Sequence, residues 1–187
     1  VDTLIVIPND KLLELAPDLP LQTAFKIADE ILTNAVKGIT ELITTTGLVN
    51  LDFADIRAVM VDGGVSLIGM GESDSTNRAF ESVERAIKNP LLDVDISGAT
   101  GALINIVGGN DMSLDECKVV MEQVGKKLSP EAKIIWGAQL SPDMDKSMRV
   151  LLIVTGVKSA QILGHSESME DLKHTQMEDQ LGIEFYE

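Results

Sequence analysis

The chain passes from one predicted helix to the next through Gly47-Leu48-Val49-Asn50-Leu51-Asp52-Phe53-Ala54-Asp55-Ile56-Arg57. Gly47 is predicted to end the first helix in the left-handed conformation, which glycine adopts readily. Asp52 is predicted to cap the second helix, residues 53 to about 60, and Asp55 follows one turn later on the same face. The segment from Gly47 to Asp55, hereafter the acidic loop, therefore places the Asn50 amide and two carboxylates near a helix N-terminus.

Two interpretations of Asp52 and Asp55 are open at this point. An aspartate at the N-cap accepts hydrogen bonds from backbone N–H groups that have no partner within the helix, and a second acid in the first turn suits the helix dipole. On that interpretation the pair only begins a helix. Alternatively, the two carboxylates belong to a catalytic site. The pattern Asp-x-x-Asp alone favours capping, because helix starts are far commoner than catalytic pairs.

The composition indicates a soluble cytoplasmic protein of one domain or two small ones. Of its 187 residues, 44% are hydrophobic and 3% are aromatic, so aliphatic side chains should form the core. A net charge of −15 argues against nucleic acid or an anionic membrane surface as a direct partner. The best apolar run, residues 150–157, is far shorter than the ~18 residues of a membrane span, and the single Cys117 excludes an internal disulfide.

The first 46 residues predict a strand, a short helix and a long helix. Residues 1–7 are β-branched and apolar, which indicates a buried strand, so we expect natural sequence before Val1. A short helix should follow the turn at residues 8–10. Residues 21 to about 46 predict a helix about 37 Å long that is contacted on several sides, with a close contact at Gly38. Its apolar positions are Leu21, Ala24, Phe25, Ile27, Ala28, Ile31, Leu32, Ala35, Val36, Ile39, Leu42 and Ile43.

The pattern from residue 53 to residue 157 predicts an α/β fold with a mixed four-stranded sheet, packed helices and right-handed crossovers. Gly69 and Gly71 are expected to weaken the end of the first of these strands, and Ser73-Asp74-Ser75 to cap the helix that follows. Ser113 and Glu116 are predicted to form a capping box. The predicted strands are 65–70, 101–107, 133–140 and 148–157, and the predicted helices are 53–60, one ending near 88, and 113–128.

The periodic pattern stops at residue 158. Residues 158–187 carry seven acids and two lysines, which predicts a flexible acidic tail. Within it, Leu181 to Tyr186 is an apolar cluster that is either a docking peptide or a chance feature. His165 and His174 are nine residues apart and predict no metal site. The chain is therefore divided into segments 1–46, 47–157 and 158–187.

Several phrases of the sequence resemble FtsZ, the tubulin-like cell-division GTPase of bacteria and archaea. They are residues 1–13, Ala35-Val36-Lys37-Gly38-Ile39, Glu41-Leu42-Ile43-Thr44, the acidic loop, Pro90-Leu91-Leu92, Gly98-Ala99-Thr100-Gly101-Ala102 and residues 149–156. The resemblance extends to about residue 157, and the final peptide looks more like archaeal members. It implies that residues 1–46 end a GTP-binding domain and that residues 47–157 form a tubulin/FtsZ-like C-terminal domain.

The resemblance implies that the acidic loop acts on GTP held by a neighbouring subunit. FtsZ proteins polymerise head to tail into division filaments, and each subunit completes the nucleotide site of the next. Asp52 and Asp55 would lie near the γ-phosphate, with Mg²⁺ balancing the phosphate charge, and Asn50 would assist as an amide. Exposed aspartates are weak bases, so they would orient and polarise the attacking water. No role is derived for Arg57 beyond pairing with a nearby acid.

The resemblance also implies contacts with the nucleotide base. Asp29 would accept hydrogen bonds from guanine, Phe25 would lie beside the base, and Asn9 would lie near the ribose. Without the resemblance, Asp29 is an ordinary solvated acid, Phe25 a core residue and Asn9 a helix cap. The resemblance implies further that the protein works in the cytoplasm at the division site, where its partners are copies of itself and a membrane-tethering adaptor bound through Leu181 to Tyr186.

One departure from the family limits what this chain should do alone. The phosphate-binding segment Gly-Gly-Gly-Thr-Gly-Thr-Gly is absent from its sequence. Gly63-Gly64 and Gly108-Gly109 do not follow a strand and open a helix, as a phosphate loop must. The chain alone should therefore bind GTP poorly and be inactive. Two alternatives stay open: a non-enzymatic interaction or capping module, and an unrelated α/β domain that regulates through a small ligand.

Overall fold

The computed structural model describes residues 1–6, 20–45, 47–49, 51–89 and 96–157. Several predictions concern residues outside these ranges. They are the short helix after residue 10, the roles of Asn9 and Asn50, and the acidic tail with its docking peptide. The division of the chain at residues 46 and 157 also stays a prediction.

The described residues form one mixed β-sheet with four α-helices packed on it, which is an α/β fold. In chain order the elements are β1 (Thr3–Ile5), α1 (Leu21–Thr44), α2 (Phe53–Met60), β2 (Gly64–Ser73), α3 (Arg78–Ile87), β3 (Gly101–Gly108), α4 (Leu114–Gly125), β4 (Lys133–Leu140) and β5 (Met148–Thr155). The sheet order is β1-β2-β5-β3-β4, with β1–β2 and β3–β4 parallel and β5 antiparallel to both of its neighbours. The predicted fold class is confirmed, and β1 joins the four expected strands as a fifth.

The sheet is covered on both faces, so successive residues of one strand enter different cores. Leu67 and Leu152 pack with α3 and α4 on one face. Their chain neighbours Ile68 and Ile153 pack with α1 and α2 on the other. Strands buried on two faces read as continuous apolar runs instead of alternating ones. The apolar runs of β2, β3 and β5 follow from this double burial.

The long helix α1 is confirmed, and its apolar positions divide between two faces. Ala35 and Leu42 are buried against the sheet, whereas Leu32 and Val36 are exposed. The single stripe predicted from the spacing is therefore one buried face and one exposed apolar face. Within the described ranges, no helix combines the length and apolarity needed to cross a bilayer.

The strand β2 extends further than its glycines predicted. It pairs with β5 as far as Ser73, which lies opposite Met148. Because Ser73 belongs to the strand, the expected cap at Ser73-Asp74-Ser75 is wrong, and α3 begins at Arg78 with Asn77 in the N-cap position. The pairing with a central strand outweighs the low strand propensity of glycine, which is only a weak constraint.

A buried arginine joins the first turns of α3 and α4. The Arg78 guanidinium donates from Nε to Glu116 Oε1 (2.6 Å), from Nη2 to Glu116 Oε2 (3.1 Å) and from Nη1 to Asp111 Oδ2 (2.8 Å). Glu116 also completes the predicted capping box with Ser113, which is confirmed. The bond from Arg78, together with those from Ser113, holds the pKa of Glu116 below its usual value against the opposing effect of burial.

Gly71 is expected not to tolerate a side chain, because a Cβ there would overlap with the backbone of α3 at Ser82 and Ala86. Overpacking a filled site costs about 1–3 kcal/mol, so Gly71→Ala should lower the free energy of unfolding by that amount. Gly98 is the matched control, since a Cβ there meets no atom within 4 Å. Urea unfolding compares Gly71→Ala with Gly98→Ala, and equal stability would contradict the close approach of β2 and α3.

Acid should destabilise the fold partly through Glu116. A carboxyl whose folded pKa lies below its unfolded value, about 4.3 for Glu, stabilises the fold above that unfolded value. The contribution is lost as the pH falls through the folded value. Arg78→Met should therefore flatten the fall in unfolding free energy between about pH 5 and pH 3.

The matched control for Arg78 is Arg149→Met, because Arg149 pairs with Glu72 at an exposed site where an ion pair contributes little. Denaturant titrations at a series of pH values measure both variants. The same acid slope in Arg78→Met and in the unsubstituted chain would show that the buried arginine is not linked to proton binding.

Candidate functional site

The helix α1 ends earlier than predicted, and the expected role of Gly47 is wrong. The helix α1 ends at Thr44, and Thr45 is already extended, with φ −99° and ψ 129°. Gly47 is not left-handed, since the described glycines with positive φ are Gly64 and Gly156. Gly47 is therefore not a helix stop, and a different constraint must explain the absence of a side chain.

That constraint is the contact between the loop and β4. The N–H groups of Leu48 and Val49 donate to Ala138 O at 2.8 and 3.2 Å, and the Ala138 N–H donates to Val49 O at 3.2 Å. Ala138 belongs to β4, the strand at the edge of the sheet. A Cβ on Gly47 would overlap with Ala138 O. Glycine is therefore required for close approach and not for its dihedral freedom.

Asp52 and Asp55 form a reciprocal cap at the start of α2. The Asp55 N–H donates to Asp52 Oδ1 at 2.8 Å, and the Asp52 N–H donates to Asp55 Oδ2 at 3.2 Å. The capping interpretation is thus confirmed, and both residues are exposed. The cap uses one oxygen of each carboxylate, and a carboxylate has about four lone-pair positions. Both side chains therefore retain capacity to accept further hydrogen bonds.

The helix that carries the cap is anchored by its opposite face. Ile56 and Val59 are buried, which fixes α2 on the sheet and turns its first turn outward. Phe53 is 65% exposed beside the cap. Arg57 is also exposed and forms no ion pair with any residue that the structure describes. The expected pairing of Arg57 with a nearby acid is therefore not found within those residues.

The residues implied in base recognition lie at the other end of α1. Phe25 and Asp29 are exposed and one helical turn apart, so an aromatic ring and a carboxylate share one face. The core role considered for Phe25 is wrong. Phe53, next to Asp52, lines a surface cavity with Ile39, and Ile39 lies about 15 Å from Asp29 along α1 at 1.5 Å per residue. The structure therefore does not bring Phe25 and Asp29 together with Asp52 and Asp55.

A cavity of about 440 Å³ between α1 and the sheet contains polar groups that sequence reasoning missed. Asn105 Nδ2 donates to Gly38 O at 3.2 Å, where Gly38 makes the predicted close contact, against Leu151. Asn105 Oδ1 and Gln139 Nε2 are buried without a hydrogen-bond partner among the described residues. In the sequence, Asn105 is the single side-chain amide in the apolar run of β3, and Gln139 is the corresponding amide in β4. An amide within an apolar strand is the signal that could have identified both residues.

Neither glycine pair fits the phosphates of a nucleotide. Gly63-Gly64 lies between α2 and β2, as predicted. Gly108-Gly109 follows β3, which ends at Gly108, but α4 begins only at Leu114, so this pair does not open a helix either. In addition, the Glu116 carboxylate already accepts the Ser113 N–H at 2.8 Å. With that carboxylate at the helix N-terminus, a phosphate would be repelled instead of bound.

A family model and the curated relatives of this chain give the same family. Residues 64–158 match the FtsZ family, C-terminal domain. The chain is 60% identical over 163 residues to cell division protein FtsZ 1 of Archaeoglobus fulgidus, covering 87% of this chain and 44% of that protein. It is 62% identical over 169 residues to cell division protein FtsZ 1 of Pyrococcus abyssi, covering 90% and 45%. The chain thus spans about half the length of the curated relatives it matches.

A solved structure is similar in both sequence and fold. The empty FtsZ dimer of M. jannaschii superposes with a TM-score of 0.80 and 56% identity, covering 84% of this chain and 46% of that one. This chain therefore shares the fold of that relative over most of its own length.

The cap and the charge of Asp52 can be separated by two substitutions. Asp52→Ala removes the acceptor for the Asp55 N–H and should lower the free energy of unfolding by about 1 kcal/mol, the usual cost of a lost N-cap. Asp52→Asn should cost much less, because asparagine caps as well as aspartate. Urea unfolding measures both, with Ser113→Ala in the other capping box as the comparison. If Asn costs as much as Ala, the carboxylate stabilises the fold through its charge and not through the cap.

Proposed function

This chain belongs to the FtsZ family, and we propose that its acidic loop completes a GTP-hydrolysing site held by another molecule in a head-to-tail filament. The observation that carries the proposal is the separation of the two sets of candidate residues. Asp52 and Asp55 are exposed beside Phe53, which lines a surface cavity with Ile39 of α1. Asp29 is exposed about 15 Å from Ile39 along the same helix, so these carboxylates would not contact a guanine base bound at Asp29 of their own chain.

A repeating arrangement resolves this separation. If one molecule presents its acidic loop to the start of α1 in another molecule, where the nucleotide is held, each contact joins two halves of one site. A head-to-tail contact of this kind generates a filament when the rotation does not close. The M. jannaschii relative is a dimer in its solved structure, which supports self-association in the family.

The proposed chemistry assigns orientation, and not strong base catalysis, to the aspartates. The cap fixes both carboxylates, and each keeps lone pairs that face solvent in the single chain. At a partner's γ-phosphate they would accept hydrogen bonds from the attacking water and hold it in line, with Asn50 as an additional amide. A bound Mg²⁺ would offset phosphate charge there.

Base recognition is proposed for the first turns of α1. The Asp29 carboxylate would accept from the N1–H and exocyclic amine of guanine, a donor pair that adenine lacks. Phe25 lies one turn earlier on the same exposed face and would cover the base, and Asn9 would contact the ribose. The glycine pairs do not fit phosphates, so these residues alone should hold GTP weakly.

A second candidate is a non-enzymatic module that docks on a filament end and blocks its growth. The observation that favours it is the exposure of two apolar side chains beside the acidic loop, Leu48 and Phe53, which would suit docking without hydrolysis. In either case we propose that the protein works in the cytoplasm at the division site, and that Leu181 to Tyr186 binds a membrane-tethering adaptor.

The two candidates are separated by adding the 187-residue chain to M. jannaschii FtsZ that is kept too dilute to assemble, with GTP and Mg²⁺. Phosphate release should rise with chain concentration and reach a plateau. Asp55→Ala should leave the half-saturating concentration unchanged and lower the plateau by about a hundredfold, the order of effect expected when the attacking water is no longer held in line. Asp62→Asn is the matched control, since Asp62 is an exposed acid beyond the far end of α2.

Each result has a defined consequence. Equal plateaus for Asp55→Ala and the unsubstituted chain would remove the catalytic assignment. Binding of the unsubstituted chain without any rise in phosphate release, measured by sedimentation of the mixture, would favour the docking module.

A further inference from the structure

We infer that Gly47 and Gly137 are positioning residues, which let the acidic loop lie against the edge of β4 and so fix where Asp52 and Asp55 stand. This inference rests on the proposed function of the loop. The contact is hereafter called the clasp, and it consists of Gly47, Leu48 and Val49 on the loop with Gly137 and Ala138 on β4.

Three backbone hydrogen bonds of the clasp converge on one buried residue. Leu48 and Val49 both donate to Ala138 O, at 2.8 and 3.2 Å, and Ala138 donates back to Val49 O at 3.2 Å. The strand β4 is the edge of the sheet, and an edge strand presents backbone groups that need partners. The loop satisfies these groups at Ala138, which is only 1% exposed.

The two glycines clear the space that these bonds require. A Cβ on Gly47 would overlap with the carbonyl oxygen of Ala138, a backbone atom that cannot rotate away. A Cβ on Gly137 would lie 3.3 Å from Val49 O and would also meet the end of the Leu42 side chain. The first collision must move the backbone, whereas the second can be relieved in part by a side-chain rotation.

The clasp is one of two anchors on either side of the aspartates. Val49 precedes Asp52 by three residues, which span at most about 10 Å, and Leu51 between them packs partly buried against α1 and α2. On the other side, Ile56 is buried one turn after Asp52. Because this link is so short, we expect that displacing the upstream anchor also displaces the cap. A misplacement of about 1 Å in a reacting group can cost a hundredfold in rate.

Amide hydrogen exchange tests the clasp without reference to function. In Gly47→Ala, the amides of Leu48, Val49 and Ala138 should lose protection, while amides in the β2–β5 ladder should keep theirs. Gly98→Ala is the matched control, because its new Cβ meets no atom within 4 Å. Unchanged protection at all three clasp amides would overturn the inference.

Stimulated hydrolysis tests positioning in the assay of the 187-residue chain with dilute M. jannaschii FtsZ. Gly47→Ala should lower the plateau of phosphate release by about tenfold to a hundredfold at an unchanged half-saturating concentration. A merely structural effect would reduce the folded fraction, which raises the half-saturating concentration and leaves the plateau intact. Gly137→Ala, the milder substitution, should give an intermediate plateau, and Gly98→Ala the full one.

The outcomes separate this inference from the proposed function. If Asp55→Ala abolishes stimulation but Gly47→Ala and Gly137→Ala keep the full plateau, the clasp does not position the aspartates. If the unsubstituted chain gives no stimulation, the proposed function fails and the positioning role fails with it. If Gly47→Ala does not fold, Gly137→Ala decides alone, and a full plateau in that variant overturns the inference.

Discussion

The pairing of β5 between β2 and β3 is the interaction on which the other contacts depend. Met148–Thr155 comes last among the described strands, yet it lies in the middle of the sheet and bonds to both neighbours along its whole length. Without it, the pair β1–β2 and the pair β3–β4 share no edge, and neither helical layer has a complete surface to cover. The helices α1 and α2 cover side chains of the three central strands, Ile68, Leu103 and Ile153, so β5 keeps the surface beneath them continuous. At the edge of that surface, α1 and the acidic loop both reach β4, through Leu42 beside Gly137 and through the bonds to Ala138.

Local patterns predicted the elements well, because each pattern lies within the element that it predicts. The helix at residues 53–60 and the strand at residues 133–140 have the predicted bounds. Gly47 and Gly71 were misinterpreted because each is required by the backbone of another element. Neighbouring residues do not distinguish a glycine needed for close approach from one needed for positive φ. The same limit applies to the candidate site: Asp-x-x-Asp predicted the cap, but the bridge to Ala138 depends on strand register, which no local pattern contains.

Capping and catalysis are compatible interpretations of the paired aspartates. A catalytic group is most effective when it is held in place before the reaction, since orientation otherwise costs free energy during it. The reciprocal bonds between Asp52 and Asp55 hold both carboxylates while using one oxygen of each. The clasp holds the chain before them, and the buried residues of α2 hold the chain after them. Exposed side chains are otherwise free to rotate. The cap, the clasp and the buried face of α2 therefore make this exposed pair of acids more suitable for a site shared between molecules.

The acidity of the loop constrains how the proposed filament contact can form. Two unit charges of like sign 4 Å apart repel by about 1 kcal/mol in water and by more where water is excluded. A chain of net charge −15 that presents two carboxylates to a polyphosphate therefore gains no affinity from them. Attraction must come from neutral neighbours, and Leu48 and Phe53 are 59% and 65% exposed on either side of Asp52. Full burial of such a side chain contributes about 1.5–3 kcal/mol, enough to offset a small number of these repulsions. The apolar side chains would therefore form the contact between molecules. The acids between them would act on the bound nucleotide and its attacking water only after that contact has formed.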